Sequence, residues 1–374
     1  MKVLILGGTG SMGKPLVSIL SSNHNNQIYV STRGNYTNTS NIFYLKGNAH
    51  DTLFLKQILS TYYDVIIDFM YYDSKEFEKR IDLLLSSTAQ YFCISSARVY
   101  SDNQQPITEN SPRLIDTIKD SIYLQGNDYS IEKCRTENIL QQSKRKNWTI
   151  IRPYITYNDN RLQLGIYELH DWYYRFCKSR TIPISKNIAS ATTTLTYGYD
   201  VAKGINALIG RKEALGETYH ITSPIAITWK EIIEIYDKTI LKITGHNIKY
   251  QITKDDIFSH FGIIEPQIIY DRNYTRIFNN TKIGEYINVR AFTSPQNGIQ
   301  QCIESYINNK ETICNINWYR QALMDRITGE QATVKNLHRK TSGTFINRLD
   351  FLILNTRLKS FYITLQGKKF YNKQ

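Results

Sequence analysis

Two residue patterns in this sequence carry chemistry. The first is Tyr129-Ser-Ile-Glu-Lys133. Four residues apart on a helix, phenol and ammonium share one face. A neighbouring cation favours the phenolate, so the tyrosine can pass a proton to and from a hydroxyl. Spacing alone selects nothing here: among 28 tyrosines it recurs at Tyr71/Lys75, Tyr174/Lys178, Tyr199/Lys203, Tyr250/Lys254 and Tyr306/Lys310. Position singles out Tyr129. It begins a helix after the fifth of a series of apolar strands, and that strand closes in Ser95-Ser96-Ala97-Arg98-Val99-Tyr100. Hydroxyls therefore stand where ligands gather, at the carboxyl edge of an open sheet. The second pattern is Gly7-Gly-Thr9-Gly10-Ser11-Met12-Gly13, between an apolar strand and a helix with Pro15 in its first turn. Glycines serve where the chain turns tightly, where backbone meets a pyrophosphate and where helix packs on strand; the helix N-terminus then offers N–H groups to the phosphates. This pattern predicts a bound dinucleotide.

The next strand bears on which dinucleotide. A cofactor without a 2′-phosphate usually meets Asp or Glu about 20 residues after the glycines. Tyr29-Val-Ser-Thr32-Arg33-Gly reaches that point with no acid, and the Arg33 guanidinium suits a phosphate. NADP(H) is expected ahead of NAD(H).

These groups need a sheet to hold them. Short apolar runs alternate with amphipathic segments over the first 155 residues, the pattern of a parallel sheet with crossover helices. Strands are predicted at Val3–Gly7, Gln27–Thr32, Asn41–Lys46, Asp64–Phe69, Gln90–Ser96 and Trp148–Pro153, with helices at Lys14–Ser22, Thr52–Thr61, Lys75–Thr88 and Asp128–Ser143. Past Tyr157 the alternation breaks. Helices are predicted at Asp171–Lys178, Val201–Ile209 and Thr228–Thr244, and a strand at Thr218–Thr222. The expected fold is α/β, a doubly wound parallel Rossmann sheet with a smaller, interleaved C-terminal substrate-binding region. The expected division is 1–157, with 192–223 returning to its sheet; 158–191 and 224–307 for substrate; and 308–374 as a basic extension.

Composition sets limits on this reading. Hydrophobic residues make up 41% and aromatics 12%, which excludes a disordered chain. No apolar run is long enough for a membrane span or a signal peptide. Five cysteines without CxxC spacing argue against a disulfide framework or zinc site and for a reducing cytoplasm. His50, His170 and His220 have no second ligand at metal spacing and read as structural, so no metal is expected. The net charge is +13, but residues 331–374 hold nine Lys/Arg against Asp350 alone. There Phe351, Leu354, Leu358, Phe361 and Leu365 follow helical spacing among basic residues. That helix is expected to pack on its own domain or on a partner copy in a homodimer, with peripheral contact to an anionic membrane as the sharper alternative.

Gly7–Gly13, Ser95–Tyr100, Tyr129/Lys133 and Arg152-Pro153 stand in the order found in the extended short-chain dehydrogenase/reductases. Over residues 1–307 the chain resembles their NAD-dependent epimerase/dehydratase group, which acts on nucleotide sugars. Tyr199-Asp-Val-Ala-Lys-Gly, Gly216-Glu-Thr-Tyr-His-Ile-Thr and Tyr270-Asp-Arg272 agree with it. The resemblance implies a Ser96–Tyr129–Lys133 catalytic set. Ser96 and Tyr129 would hydrogen-bond the reacting oxygen, Lys133 would hold the nicotinamide ribose, and Pro153 would lie beside the nicotinamide. The cofactor surface is then expected to comprise Gly7, Thr9, Gly10, Ser11, Met12, Gly13, Thr32, Arg33, Asn48, Ala49, Phe69, Met70, Tyr129, Lys133 and Pro153.

Departures narrow the reaction. The 4,6-dehydratases follow the hydroxyl residue with an acid pair; Ala97 and Arg98 stand there instead. What remains is 4-epimerisation or reduction of a 4-keto sugar. Ile155 replaces an Asn that nucleotide-sugar enzymes often carry two residues after the proline. Phe69-Met-Tyr-Tyr72 is bulkier than usual, and Tyr71 and Tyr72 read as packing. A second class stays open: a non-catalytic NADP(H) sensor or RNA-binding relative, favoured by the basic tail and disfavoured by an intact Ser96/Tyr129/Lys133 set.

Overall fold

The computed structural model describes residues 1–102, 105–309 and 316–330. The basic segment around Phe351–Leu365 lies outside the described residues. The described residues form two compact units, one of residues 1–102, 105–158, 194–225 and 277–295, the other of residues 159–193, 226–276, 296–309 and 316–330.

The first unit is built on a seven-stranded parallel sheet. Its strands include β1 (Lys2–Leu6), β2 (Gln27–Thr32), β3 (Ile42–Lys46), β4 (Tyr63–Asp68), β5 (Thr88–Ile94) and β6 (Trp148–Pro153). The order across the sheet is Glu217–Ile221, β6, β5, β4, β1, β2, β3. The chain starts at β1, winds outward to β3, then returns past β1 to β4, so the order reverses beside β1. Such a reversal opens the crevice in which doubly wound sheets bind ligands. Strands covered on both faces read as continuous apolar runs. Val3, Leu4, Ile5 and Leu6 are accordingly all buried, as is every residue of β6.

One face of the sheet packs Val3, Ile5, Val30 and Ile67 against Leu16, Val17 and Leu20 of α1 (Gly13–Ser21) and Val201 and Ile205 of the Gly198–Leu208 helix. The other packs Leu4, Leu6, Ile66 and Tyr91 against Leu55 of α2 (Thr52–Ile58), Phe77, Leu84 and Leu140. Each such side chain contributes roughly 1.5–3 kcal/mol on burial. Ile283 and Phe292 join the first cluster, so residues 277–295 lie with the sheet, although the sequence pattern grouped 224–307 together.

Local departures from the expected elements have visible causes. The single helix expected over Lys75–Thr88 is two, α3 (Ser74–Glu78) and α4 (Ile81–Ser86). Arg80 breaks it: its guanidinium reaches Ala49 O at 3.0 Å and Glu76 at 2.6 Å, and its backbone leaves the helical region. The fifth strand ends at Ile94, not Ser96, because Ser96 turns to cap a short 3₁₀ helix over Ala97–Val99.

The second unit is mostly helical. Its Trp229–Thr244 helix opens with a capping box between Thr228 and Glu231 and closes on left-handed Gly245. Arg175 of the Leu169–Cys177 helix is fully buried and holds Asp325 and Glu330, each at 2.7 Å, which ties in the Trp318–Thr328 helix. Among the described residues no helix is long and apolar enough to cross a membrane.

Candidate active site

The strand ends of the first unit place the expected cofactor residues along one edge. Gly7–Gly13 forms the turn from β1 to α1. Gly7 has φ +70°, a left-handed conformation, and its N–H is donated to Ser31 Oγ at 3.1 Å. A Cβ on Gly13 would stand 2.6 Å from the Gly8 carbonyl carbon, so only glycine lets the helix start press onto the turn. Met12 stands at the N-cap with no side-chain cap, and the first turn of α1 holds no acid. This cradle of backbone, dipole and missing side chains fits a pyrophosphate.

A Cβ on Gly7 would meet Met70 Sδ at 3.1 Å and Phe69 Cβ at 3.6 Å, so the segment after β4 lies against the glycine turn. Thr32 is buried at the end of β2 and Arg33 is exposed just beyond it. Asn48 and Ala49 lie between β3 and α2, with Asn48 Oδ1 accepting from His50 N at 3.2 Å. Pro153 ends β6 and is buried.

The cluster around Tyr129 is assembled from four segments. Asp128 caps the Tyr129–Gln142 helix by accepting from Ser130 N at 2.8 Å, which sets Tyr129 at its first position. Lys133, one turn on, is buried and donates to Ile94 O at 2.7 Å, the last residue of β5. Its Nζ lies 5.9 Å from the centre of the Tyr129 ring and 5.5 Å from that of Tyr71. Ser96 follows two residues later, and its Oγ accepts from Arg98 N at 3.2 Å. The Arg98 guanidinium carbon then stands 5.3 Å from the Tyr129 ring centre.

Tyr71 corrects the packing reading. It stacks on Tyr129 with ring centres 5.5 Å apart, and the two rings are 42% and 36% exposed. Burial, with Glu132 and Tyr129 nearby, pushes the Tyr71 phenol up to about 12. Tyr72 does pack: it is buried against Phe77 and under the Arg80 guanidinium.

Beneath the surface groups lies a buried ionic hub that motif reading missed. Glu137 shares the helix face of Tyr129 and Lys133, at four-residue intervals, and has no exposed surface. It accepts from Ser95 Oγ at 2.6 Å, from Arg152 Nε at 2.9 Å and Nη2 at 2.7 Å, and from Arg113 Nη1 at 3.3 Å. Burial alone would raise the Glu137 carboxyl, but Arg152, Ser95 and Arg113 together hold it below the usual carboxylate range. One carboxylate thus binds the helix of Tyr129 to the residue before Ser96 and to the residue before Pro153. Its only sequence signal was the continued spacing of four.

Asp68 is a second unforeseen group. It is buried at the end of β4 and accepts from Met70 N and Tyr91 OH, each at 2.9 Å. Burial pushes its carboxyl up to about 6 despite those bonds and the charge of Lys133.

Ile155 has φ +33°, a conformation costly for a β-branched residue. Asn tolerates that region better, and Asn is what nucleotide-sugar enzymes often carry there. His220 is buried, paired with Tyr100 OH at 3.2 Å and Asn279 O at 2.7 Å. His50 pairs with Glu76 at 2.8 Å and His170 lies against Tyr306. Among the described residues no cluster of His, Cys, Asp or Glu converges as a metal would require.

A seven-stranded parallel sheet with a glycine turn at its crossover defines a Rossmann-type fold. Solved structures that it resembles include epimerases and a dehydratase in complex with NAD. One is UDP-glucuronic acid 4-epimerase from Bacillus cereus in complex with UDP-glucuronic acid and NAD, at TM-score 0.64 and 14% identity, over 83% of this chain and 100% of that one. Another is WbmH of Bordetella bronchiseptica with NAD+, at TM-score 0.61 and 14% identity, over 82% and 98%. A third is dTDP-glucose 4,6-dehydratase from Bacillus anthracis with NAD, at TM-score 0.61 and 16% identity, over 83% and 97%. No family model and no curated protein matches the sequence.

Proposed function

We propose that this protein is an NADP(H)-dependent oxidoreductase or epimerase acting at one carbon of a nucleotide-activated sugar. The observation that carries the reading is the convergence of Tyr129, Lys133 and the Ser96 turn at the sheet edge that also bears the glycine cradle. The solved structures of like fold that hold NAD and UDP-glucuronic acid support the substrate class.

The nicotinamide, when bound, accepts or returns the hydride of the reacting carbon. Everything else falls to the chain. Gly7–Gly13 and the start of α1 hold the pyrophosphate. Tyr129 takes the hydroxyl proton as the carbon is oxidised and returns it on reduction, with Ser96 Oγ orienting the same oxygen. Lys133, anchored to Ile94 O, keeps a positive charge beside the phenol and reaches for the ribose. Glu137 keeps the helix, Ser95 and Arg152 in register. Ala97 and Arg98 carry no acid in the place where dehydratases have a pair, which favours 4-epimerisation or 4-keto reduction over loss of water.

The 2′-phosphate is assigned to Arg33, exposed at the end of β2 with no acid beside it in sequence. Nicotinamide fluorescence titrations with NADPH and NADH test this. NADPH is expected to bind more tightly, and Arg33→Gln to weaken NADPH about tenfold while leaving NADH unchanged. Preference for NADH in the unmodified protein would overturn the NADP(H) assignment.

A further inference from the structure

Tyr129 occupies the first position of its helix. A helical side chain leans back over the turn before it, and at this position no such turn exists. The phenol therefore needs support from another segment, and Tyr71 supplies it. The two rings stack with centres 5.5 Å apart and planes 26° apart. Lys133 Nζ lies 5.5 Å from the Tyr71 ring centre and 5.9 Å from that of Tyr129, so one ammonium stands beside both rings.

The segment that carries Tyr71 is fastened on each side of it. Towards β4, Phe69 N donates to Leu6 O at 3.0 Å and Met70 N to Asp68 Oδ1 at 2.9 Å. Tyr72, next in sequence, is buried, with the Phe77 ring centre 6.2 Å and the Arg80 guanidinium carbon 4.4 Å from its own ring centre. Beyond it, Ser74 N donates to Glu132 Oε2. Glu132 directly precedes Lys133 in the helix of Tyr129. That helix thus holds the segment that backs its own tyrosine. Burial first, then Glu132, Tyr129, Asp128 and Asp73, pushes the Tyr71 phenol up to about 12, so its hydroxyl keeps its proton at neutral pH. What Tyr71 offers is a ring and not a second base.

From this arrangement we infer that Tyr71 is a positioning residue for proton transfer at Tyr129. Its ring keeps the Tyr129 phenol and the Lys133 ammonium in one relative arrangement before a substrate arrives. The inference rests on the reading of Tyr129 as the group that moves the hydroxyl proton. Aromatic pairs and contacts between a cation and a ring are individually weak. Displacing a reacting group by about an ångström, however, can cost about 100-fold in rate. The effect of Tyr71 is therefore expected in kcat, with substrate and cofactor affinity nearly unchanged.

Fluorine NMR of the cofactor-loaded protein carrying fluorotyrosine at position 129 tests the geometry without a substrate. Its resonance is expected to be displaced from that of free fluorotyrosine by the neighbouring ring. Tyr71→Phe should keep that displacement, and Tyr71→Leu should lose most of it. Turnover is then measured with UDP-glucuronic acid, UDP-glucose and dTDP-glucose as probes. Tyr71→Leu is expected to lower kcat roughly 10- to 100-fold while KM and cofactor affinity change less than about twofold, and Tyr71→Phe to recover most of that loss. A resonance or a kcat that Tyr71→Leu leaves unchanged, or a Tyr71→Phe variant as slow as Tyr71→Leu, would overturn the inference and leave the reading of Tyr129 standing. Full turnover in Tyr129→Phe, or no turnover of any probe by the unmodified protein, would overturn that reading and the inference with it.

Discussion

Between Leu6 and Gly13 the chain makes the proposed binding turn out of missing side chains, whereas the proposed reactive cluster around Tyr129 is made of side chains drawn from separate segments. The turn spans a few consecutive residues. Its geometry is set by the left-handed φ of Gly7 and by the 2.6 Å that separates a Gly13 Cβ from Gly8. The Tyr129 cluster needs the segment after β4 for Tyr71, β5 for the Ile94 carbonyl, the following turn for Ser96 and Arg98, and a helix for Tyr129 and Lys133. The two proposed regions are thus built on one edge by opposite means, and each should fail separately.

The largest expected effect comes from removing the phenol. Tyr129→Phe should lower turnover roughly 100- to 10,000-fold while nicotinamide titration shows unchanged cofactor affinity. A parallel loss of binding would mean that the two regions are not separable. Next is Glu137→Ala, which leaves buried Arg152 without its counter-ion and leaves half-buried Arg113 with Asp116 alone. Denaturant unfolding should show a loss of roughly 3–5 kcal/mol; Glu137→Gln, which keeps an acceptor for Ser95, should lose less. Gly13→Ala acts on the other region. The added methyl meets backbone, which cannot rotate away, so stability should fall by roughly 1–3 kcal/mol, and cofactor affinity should fall with it while Tyr129 stays in place. The smallest effect is on pH dependence. Asp68 is raised from 3.8 to about 6, so its native state holds a proton longer than the unfolded chain. Its contribution to stability is complete below the unfolded value and is lost as pH rises through about 6. Asp68→Asn should flatten that decline in urea titrations between those two values. Asp171 in the second unit, also raised to about 6, supplies the slope that remains.

The same contrast explains what was legible from the sequence. The glycine turn and the strands were readable because their signals are local: a run of apolar residues for β1 or β6, then glycines in fixed order. Tyr129 and Lys133 were readable only through their place after β5, since the spacing itself recurs elsewhere. Glu137 was not legible, because a glutamate inside a helix looks like a solvated one until Ser95 and Arg152, 42 and 15 residues away, turn towards it. Tyr71 looked like packing for the same reason: nothing near it in sequence says that its face meets Tyr129. The break at Arg80 was hidden because the guanidinium that ends the helix answers a carbonyl at Ala49, on another segment.

The most direct test of the account is a single-turnover experiment that follows nicotinamide absorbance in the cofactor-loaded protein after addition of a nucleotide sugar that binds. A change between oxidised and reduced cofactor is expected on that addition, lost or greatly slowed in Tyr129→Phe although the sugar and cofactor still bind. A sugar that binds at saturation and leaves the absorbance unchanged, or a change that proceeds at the same rate without the Tyr129 hydroxyl, would contradict it.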